Sequence, residues 1–561
     1  MPTANEIRKR FLSFFEARGH RLVPSAPVVP HGDPTLLFTN AGMNQFKDVF
    51  LGTGARDYTR AADTQKCIRV SGKHNDLDEV GADTYHHTFF EMLGNWSFGD
   101  YFKEDAIRWA WEFLVDEMGL DRDKLWATVF GGDEALALPP DEEAERLWPE
   151  VTDIPRARVL RFGRKENFWE MAETGPCGPC SEIHLDLGPG ACDRSATPGH
   201  RCSVNGDCAR FIEIWNLVFI QYQHMEDGSL RPLPARHVDT GMGFERLVSV
   251  VQGKTSNYDT DLFAPLLGRI SELAGAPYGE DGRKDMAMRV VADHARTLSV
   301  AIADNVVPSN KDRGYVLRRI LRRASRYGYQ VLGLTEPFIH QVVPVVAEIF
   351  SEVFPEIAKR RDHIARVVEA EERAFLRTLE RGVLLFEKAA GELAAAGAAV
   401  LDGAVAFRLY ETYGFPRDLT ELMCRERGFT LDEAGWARAE AAHVEASKGA
   451  SGQRLDPGEL EGLPPTRFVG YWELGLAGTL GHEAETRLLR LVDNEYLVLY
   501  ESPFYAESGG QVGDTGLVVA PGFRFVVRDT QRVGDLSVHQ GDLEAGDLAA
   551  LRERGTAWGD L

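Results

Sequence analysis

Within eight residues, Asp239-Thr-Gly-Met-Gly-Phe-Glu-Arg246 offers a carboxylate, two glycines and a guanidinium. A carboxylate pairs with an amine, bare backbone admits a flat adenosine, and a guanidinium grips a phosphate through a bidentate fork. A Gly-x-Gly alone more often marks a tight turn or close packing. What raises it here is a basic segment upstream, Arg69 and Lys73, which runs on to Tyr85-His-His-Thr-Phe-Phe-Glu91. Together the two segments predict a nucleotide site built on a sheet. Spacing excludes the common phosphate loops: a dinucleotide fingerprint needs a third glycine where Arg246 stands, and a P-loop ending at Gly253-Lys-Thr255 needs one at Val248. His87 and Glu91, four apart, would suit a metal on a helix. The Thr-Phe-Phe between them has strand character, which directs both to the pocket and weakens a zinc-hydrolase reading.

Two further clusters carry chemistry. Five of the seven cysteines fall between Cys177 and Cys208, where Cys177-x-x-Cys180 is followed by His184, Cys192, His200, Cys202 and Cys208. That is too few for a disulfide scaffold, and it suits either zinc or reduced thiols. The run from Lys311 to Arg326 holds Lys311, Arg313, Arg318, Arg319, Arg322, Arg323 and Arg326 against one acid, Asp312. On a helix, 318, 319, 322, 323 and 326 share a face, with Val316, Leu317, Ile320, Leu321 and Ala324 toward the core. Such a face is either merely solvated or binds phosphates. A formal charge of −23 for the whole chain opposes non-specific nucleic-acid binding, so any RNA contact must rest on this local charge.

The elements that must position these groups follow from length and pattern. A chain of 561 residues, 44% hydrophobic, has a prior of roughly three or four domains. Residues 1–265 mix a helix over 104–118 with buried strands at 126–130 and 211–219. From the loop 275–282 onward the pattern turns helical, with Ile364, Val367, Val368, Phe375, Leu379 and Phe386 at helical spacing. A linker is expected over 447–465, then short β-prone segments such as 495–500 and 523–527. The expected division is 1–265, 266–455 and 456–561. No apolar run approaches the roughly 20 residues needed to cross a bilayer. Phe11-Leu-Ser-Phe-Phe15 is too short for a secretory core, so a cytoplasmic protein is expected.

The segment 239–246 resembles motif 3 of the class II aminoacyl-tRNA synthetases, and the stretch from Gln65 through Arg69 and Asp76 to Phe89-Phe-Glu-Met-Leu-Gly94 resembles their motif 2. The likeness narrows to the alanyl-tRNA synthetase family. Thr39-Asn-Ala-Gly-Met43, Asn167-Phe-Trp-Glu170, Thr174-Gly-Pro-Cys-Gly-Pro-Cys180, Ile214-Trp-Asn-Leu-Val-Phe219 and Phe504-Tyr-Ala-Glu-Ser-Gly-Gly-Gln-Val-Gly513 occur in that family's order. The resemblance implies an α+β multidomain fold: a class II antiparallel sheet with flanking helices, a helical bundle for tRNA recognition, and a small β-barrel that begins the editing region.

It also implies roles. Activation of L-alanine with ATP and transfer to the 3′ end of tRNA(Ala) is the implied activity, a non-catalytic tRNA-binding paralogue the alternative. Arg69 would hold the α-phosphate, with Lys73 beside it, and Arg246 would face the γ-phosphate. Phe90 would stack on adenine, with core packing as its other reading; His74, Met92, Gly241 and Gly243 complete the ATP pocket. Glu213 is the candidate for Mg2+. Asp239 would bind the α-ammonium, while Trp169, Asn216 and Val218 wall a methyl-sized pocket. Asn310 and Glu411, the latter standing where the family often has Asp, would read the acceptor-stem G·U pair. Arg313, Arg318, Arg319, Arg322 and Arg323 would take phosphates. For Zn2+ the expected ligands are Cys177, Cys180, Cys202 and Cys208, with Cys192 a further substitute, because Leu187 and Gly190 stand where the family pattern has histidines. No His-x-x-x-His occurs, so the chain is read as a monomeric fragment or truncated product that stops before the editing centre.

Overall fold

The computed structural model describes residues 1–30, 36–71, 74, 75, 77, 79–134, 138–171, 174–413, 415–450, 460, 462–469, 483–506, 513–546 and 557–560. They form two compact units, one comprising 1–391 with 411–422, the other 392–410 with 423–561.

The first unit is built on a sheet. Its strands are β1 (Arg21–Leu22), β2 (Arg60–Ile68), β5 (Phe89–Phe98), β6 (Leu125–Phe130), β7 (Val159–Phe162), β8 (Phe168–Glu170), β9 (Gly175–Asp186), β10 (Phe211–His224) and β11 (Leu230–Gly243), while β3 (Val70–Ser71) and β4 (His74–Asn75) form a separate hairpin between β2 and β5. The order is β1-β2-β5-β11-β10-β9-β6-β7, with β8 also on β9. All pairs are antiparallel except β1 with β2 and β6 with β7 at the edges.

Strand parity explains the two faces. On β5, Phe89 and Leu93 turn into the core while Phe90 and Met92 turn to a cavity; on β11, Val238 and Met242 go one way and Asp239, Gly241 and Gly243 the other. The core face is covered by α1 (Ala4–Glu16), which opens with a capping box from Thr3 and Glu6. Short α2 (Lys47–Phe50) lies on the cavity side, where Phe50 packs edge-to-face with Phe98. Then follow α3 (Lys103–Glu112), α4 (Glu142–Val151), α5 (Arg164–Asn167), α6 (Phe244–Val251) and α7 (Ala264–Ala274).

The expected helix over 104–118 is α3 continued by a π-turn at Phe113–Glu117. The later helices are α8 (Gly282–Ala303), α9 (Asp312–Leu332), α10 (Val343–Ile349), α11 (Pro355–Lys359) and α12 (Arg361–Ala395). From Ala287 to Ala303 α8 is buried almost all round, as a helix enclosed by other elements must be. One apolar core runs from Ala4 to Val368, so it crosses residue 265 without a break.

In the second unit a seven-stranded antiparallel sheet forms a half-barrel around Leu497, Leu499, Phe504, Val518, Phe523 and Phe525. The helix Glu433–Ala450 runs into the start of the expected linker, and 451–459 lies outside the described residues. Among the described residues no helix is long and apolar enough to cross a membrane.

Candidate active site

A cavity of about 290 Å³ opens on the face of β5, β11, β10, β9 and β8, with Arg69 reaching it from just past β2. Arg69, Phe90, Met92, Trp169, Glu213, Asn216, Val218, Asp239, Gly241, Gly243 and Arg246 all line it. Cross-strand register brings them together: Asn216 lies opposite Gly241, Val218 opposite Asp239, and Gly243 opposite Met92. Period two would send Glu213 to the other face from Asn216 and Val218. A register shift between Glu213 and Trp215 turns both Glu213 and Ile214 to the cavity.

Asp239 is buried at one end. The indole Nε1 of Trp96 donates to its Oδ1 at 2.6 Å. Burial dominates that hydrogen bond and pushes the carboxyl up to about 7. Trp96 reaches it by lying flat over Gly94, where a Cβ would come within 2.2 Å of the ring. Ala41, Met43, Trp96, Met171, Cys180 and Val218 form an apolar cluster around this end, with Trp169 and Met92 packed against it. Asn216 Oδ1 is buried there without a partner among the described residues.

At the other end the guanidinium of Arg69 lies 4.9 Å from the Phe90 ring centroid, and its Nε donates to the Asn40 carbonyl at 3.1 Å. Arg246 donates to the Glu213 carbonyl at 3.1 Å, lies 3.5 Å from the Glu213 carboxylate and sits 5.3 Å from the Tyr85 ring centroid. Gly241 lies close under the flexible Met92 side chain: a Cβ there would meet Met92 Sδ at 2.9 Å and push it aside. Neither Gly241 nor Gly243 has a positive φ, so the glycines serve proximity rather than a turn. Lys73 lies outside the described residues, as does the side chain of His74, whose backbone is in β4.

Several groupings differ from the sequence reading. Glu91 is not a pocket residue. It is fully buried, accepts from Arg8 Nε and Nη2 at 2.8 Å each and from Thr64, and so anchors α1 behind the sheet. His87 does line the cavity, and its Nδ1 faces Asp293 at 3.2 Å. Cys177 and Cys180 do not fit a zinc site. Cys177 packs with Phe130 and Phe168, Cys180 with the apolar cluster beside Asp239, and burial pushes the first thiol up to about 12 and the second well above its usual range. The ligand atoms that do converge belong to Cys192, His200, Cys202 and Cys208.

The basic face of α9 is also divided. Arg323 turns inward, donating to His294 Nε2 at 3.0 Å and to the Val80 carbonyl at 3.2 Å, and Arg326 is buried as well. The reason is that α9 is packed on two sides: α8 takes Arg323, and α12 takes Arg318 through Glu371 at 2.6 Å and Arg322 over the Phe375 ring. Arg318 also pairs with Asn310, and Arg313 donates to the carbonyls of Leu36 and Leu37. Glu411 is exposed on the helix Gly403–Tyr413.

Trp96, Tyr85 and Glu182 are functional candidates that the motif spacing did not single out. Tyr85 and Glu182 line the cavity, and Trp96 acts through Asp239. Only the period-two continuation of Phe90 and Met92 along β5 pointed to Trp96.

A family model of class II (A) tRNA synthetases matches residues 6–553. The chain is 52% identical over 547 residues to the alanine–tRNA ligase of Chlorobium luteolum and 52% identical over 545 residues to that of Chlorobaculum tepidum, in each case covering 96% of this chain and 59% of the relative. It is 50% identical over 547 residues to the alanine–tRNA ligase of Porphyromonas gingivalis, covering 96% of this chain and 61% of that protein. It thus spans about three fifths of the length of these curated relatives. With its antiparallel sheet, its ordered motifs and a family match over nearly every residue, the chain belongs to the class II (A) tRNA synthetases.

Proposed function

We propose that this chain activates L-alanine with ATP to alanyl-adenylate and pyrophosphate, then passes the alanyl group to the 3′ end of tRNA(Ala). What carries the reading is one cavity holding a buried carboxylate at an apolar end and two guanidinium groups at the other. The relatives named above are alanine–tRNA ligases, which supports the choice of amino acid.

The substrate carboxylate attacks the α-phosphorus itself, so the protein's part is positioning and charge neutralisation. Asp239 holds the α-ammonium, and Asn216 Oδ1 gains the donor it lacks. Trp169 and Val218 bound the methyl group. Phe90 stacks on adenine with Arg69 over it, placing that guanidinium at the α-phosphate; Arg246 meets the γ-phosphate, and Lys73 adds a charge nearby. Glu213, a carboxylate facing the phosphate end beside Arg246, is the residue assigned to Mg2+, which when bound neutralises the triphosphate.

Recognition of tRNA is assigned to Asn310, Glu411, Arg313 and Arg319, with Arg318 and Arg322 contributing from their shared positions against α12. Functionally, 1–265 is assigned catalysis, 266–455 tRNA recognition and 456–561 a part in the editing region, in a cytoplasmic protein.

The test is amino-acid-dependent exchange of labelled pyrophosphate into ATP, with alanine, serine, glycine and valine, for wild type and Asp239→Ala. Exchange strongest with alanine and lost in the variant is the expected result. No exchange with any amino acid from folded, magnesium-supplied protein would overturn the proposal in favour of a tRNA-binding paralogue.

A further inference from the structure

The connection between β9 and β10, residues 187–210, runs for roughly two dozen residues with no regular structure beyond a 3-10 turn at Pro189–Ala191, a length at which loops are usually functional or disordered. Residues 193–199 are all exposed, and apart from Cys208 only Val204 is buried, so the loop has almost no apolar core of its own. Yet four of its side chains meet: the ligand atoms of Cys192, His200, Cys202 and Cys208 all lie within 4.8 Å of one another.

We propose that Cys192, His200, Cys202 and Cys208 bind one Zn2+ in a tetrahedral site of three sulfurs and one nitrogen that clips this loop beside the active cavity. The dimensions fit. Zn–S bonds of about 2.3 Å and a Zn–N bond of about 2.0–2.1 Å place a sulfur and a nitrogen about 3.6 Å apart across a tetrahedral edge. Cys202 Sγ and His200 Nε2 are 3.6 Å apart.

The surroundings match those of a metal-bound histidine. His200 Nδ1 faces Asp207 Oδ1 at 3.3 Å, which assigns the proton to Nδ1 and leaves Nε2 as the ligand, and Asp207 is itself held by Arg194 at 2.5 Å. Binding displaces three thiol protons to solvent and leaves a site of net charge −1. Arg210, whose guanidinium contacts Cys202 and is gripped by both oxygens of Asp186 at 2.7 and 2.6 Å, offsets that charge at the base of the loop.

The clip has a route to the cavity. Asn205, two residues before Asp207 and held at a φ of 52°, donates from Nδ2 to Glu182 Oε2 at 3.1 Å, and Glu182 lines the cavity opposite Asn216 on β10. This ligand set is distinct from the Cys177 and Cys180 pair, which lies in strand β9 and in apolar surroundings.

The test is metal analysis of the tag-free, chelator-washed chain with a parallel cobalt reconstitution. About one zinc per chain is expected, together with tetrahedral visible bands and a thiolate-to-cobalt charge-transfer band in the cobalt form. Alkylation mapped by mass spectrometry reads the same site without any substitution: Cys192, Cys202 and Cys208 should be protected until a strong chelator is added. Cys202→Ser should lower zinc content by about tenfold or more, Cys177→Ala should keep it, and His200→Cys should keep the metal with a cobalt spectrum moved toward four sulfurs.

Three results would overturn the proposal: a wild-type chain that takes up no zinc or cobalt, disulfides among these cysteines in anaerobically prepared protein, or full zinc retention in Cys192→Ser/Cys202→Ser/Cys208→Ser.

Discussion

Asp239 carries two opposing demands, since a buried site strengthens its grip on an ammonium and also favours its neutral form. With the carboxyl at about 7, the proposed pairing with the α-ammonium of alanine requires it to lose its proton. The sign follows: kcat/KM for alanine should fall about tenfold per pH unit as pH drops below about 7, while KM for ATP changes little, measured by pyrophosphate exchange across pH 5.5–8.5. Trp96→Phe removes the one side-chain donor to Asp239 among the described residues, which favours the ionised form. It should move this transition about one pH unit higher and raise KM for alanine. A second expectation concerns selectivity. One methyl or hydroxyl changes binding by only about 1–3 kcal/mol, so glycine and serine should show exchange within roughly 10–200-fold of alanine in kcat/KM. That Asp239, Arg69 and Arg246 would meet in one cavity was legible in the sequence, because each lies in a short run of residues with compatible chemistry. Trp96 was not: its partner is 143 residues away, and only the pairing of β5 with β11 brings them together.

Helix α9 shows what periodicity does and does not fix. Spacing locates the helix and its apolar stripe correctly, with Val316, Leu317, Ile320, Leu321 and Ala324 all buried. It cannot say how many sides are covered, and a second covering helix recruits the arginines as well. Arg323→Ala would leave His294 and the Val80 carbonyl without their donor in a buried place. The expected cost is about 2–4 kcal/mol, visible as a lower denaturant midpoint in guanidinium melts with no change in slope. Arg319→Ala should instead leave stability within about 0.5 kcal/mol and flatten the dependence of log K for tRNA on log salt by about 0.7–0.9. The cysteine loop gives the complementary lesson. Its four converging side chains were all visible as residue types, but family spacing favoured Cys177 and Cys180, which the register of β9 commits to apolar packing.

On the scale of the molecule, the fold class was legible through the motif resemblance, and segment order added the change from mixed to helical to β-prone stretches, whereas the unity of the first core was not legible. Buried ion pairs tie the sheet to the helices that follow it. Arg296 of α8 pairs with Glu245 just past β11, and Lys66 of β2 reaches Asp304 at 3.0 Å and Glu356 at 2.6 Å. Sequence presents these residues as scattered charges, because their partners lie 51, 238 and 290 positions away. A fragment ending at residue 265 would take Arg296 away from the buried Glu245, leaving it only the Glu91 N–H, and would take both carboxylates away from Lys66. It should lack a cooperative thermal transition by circular dichroism, where the full chain shows one.

The same long-range ties bear on how the protein is made. Ala4 bonds to Asp261, Lys66 waits for Glu356, and the core is complete only when Val368 has arrived. At about 5–20 residues per second, a ribosome takes roughly 20–70 s to supply that last segment. Through that interval the nascent sheet has exposed edges and an uncovered apolar face, so this chain should depend on holding chaperones during synthesis more than a protein of equal length built from short-range contacts.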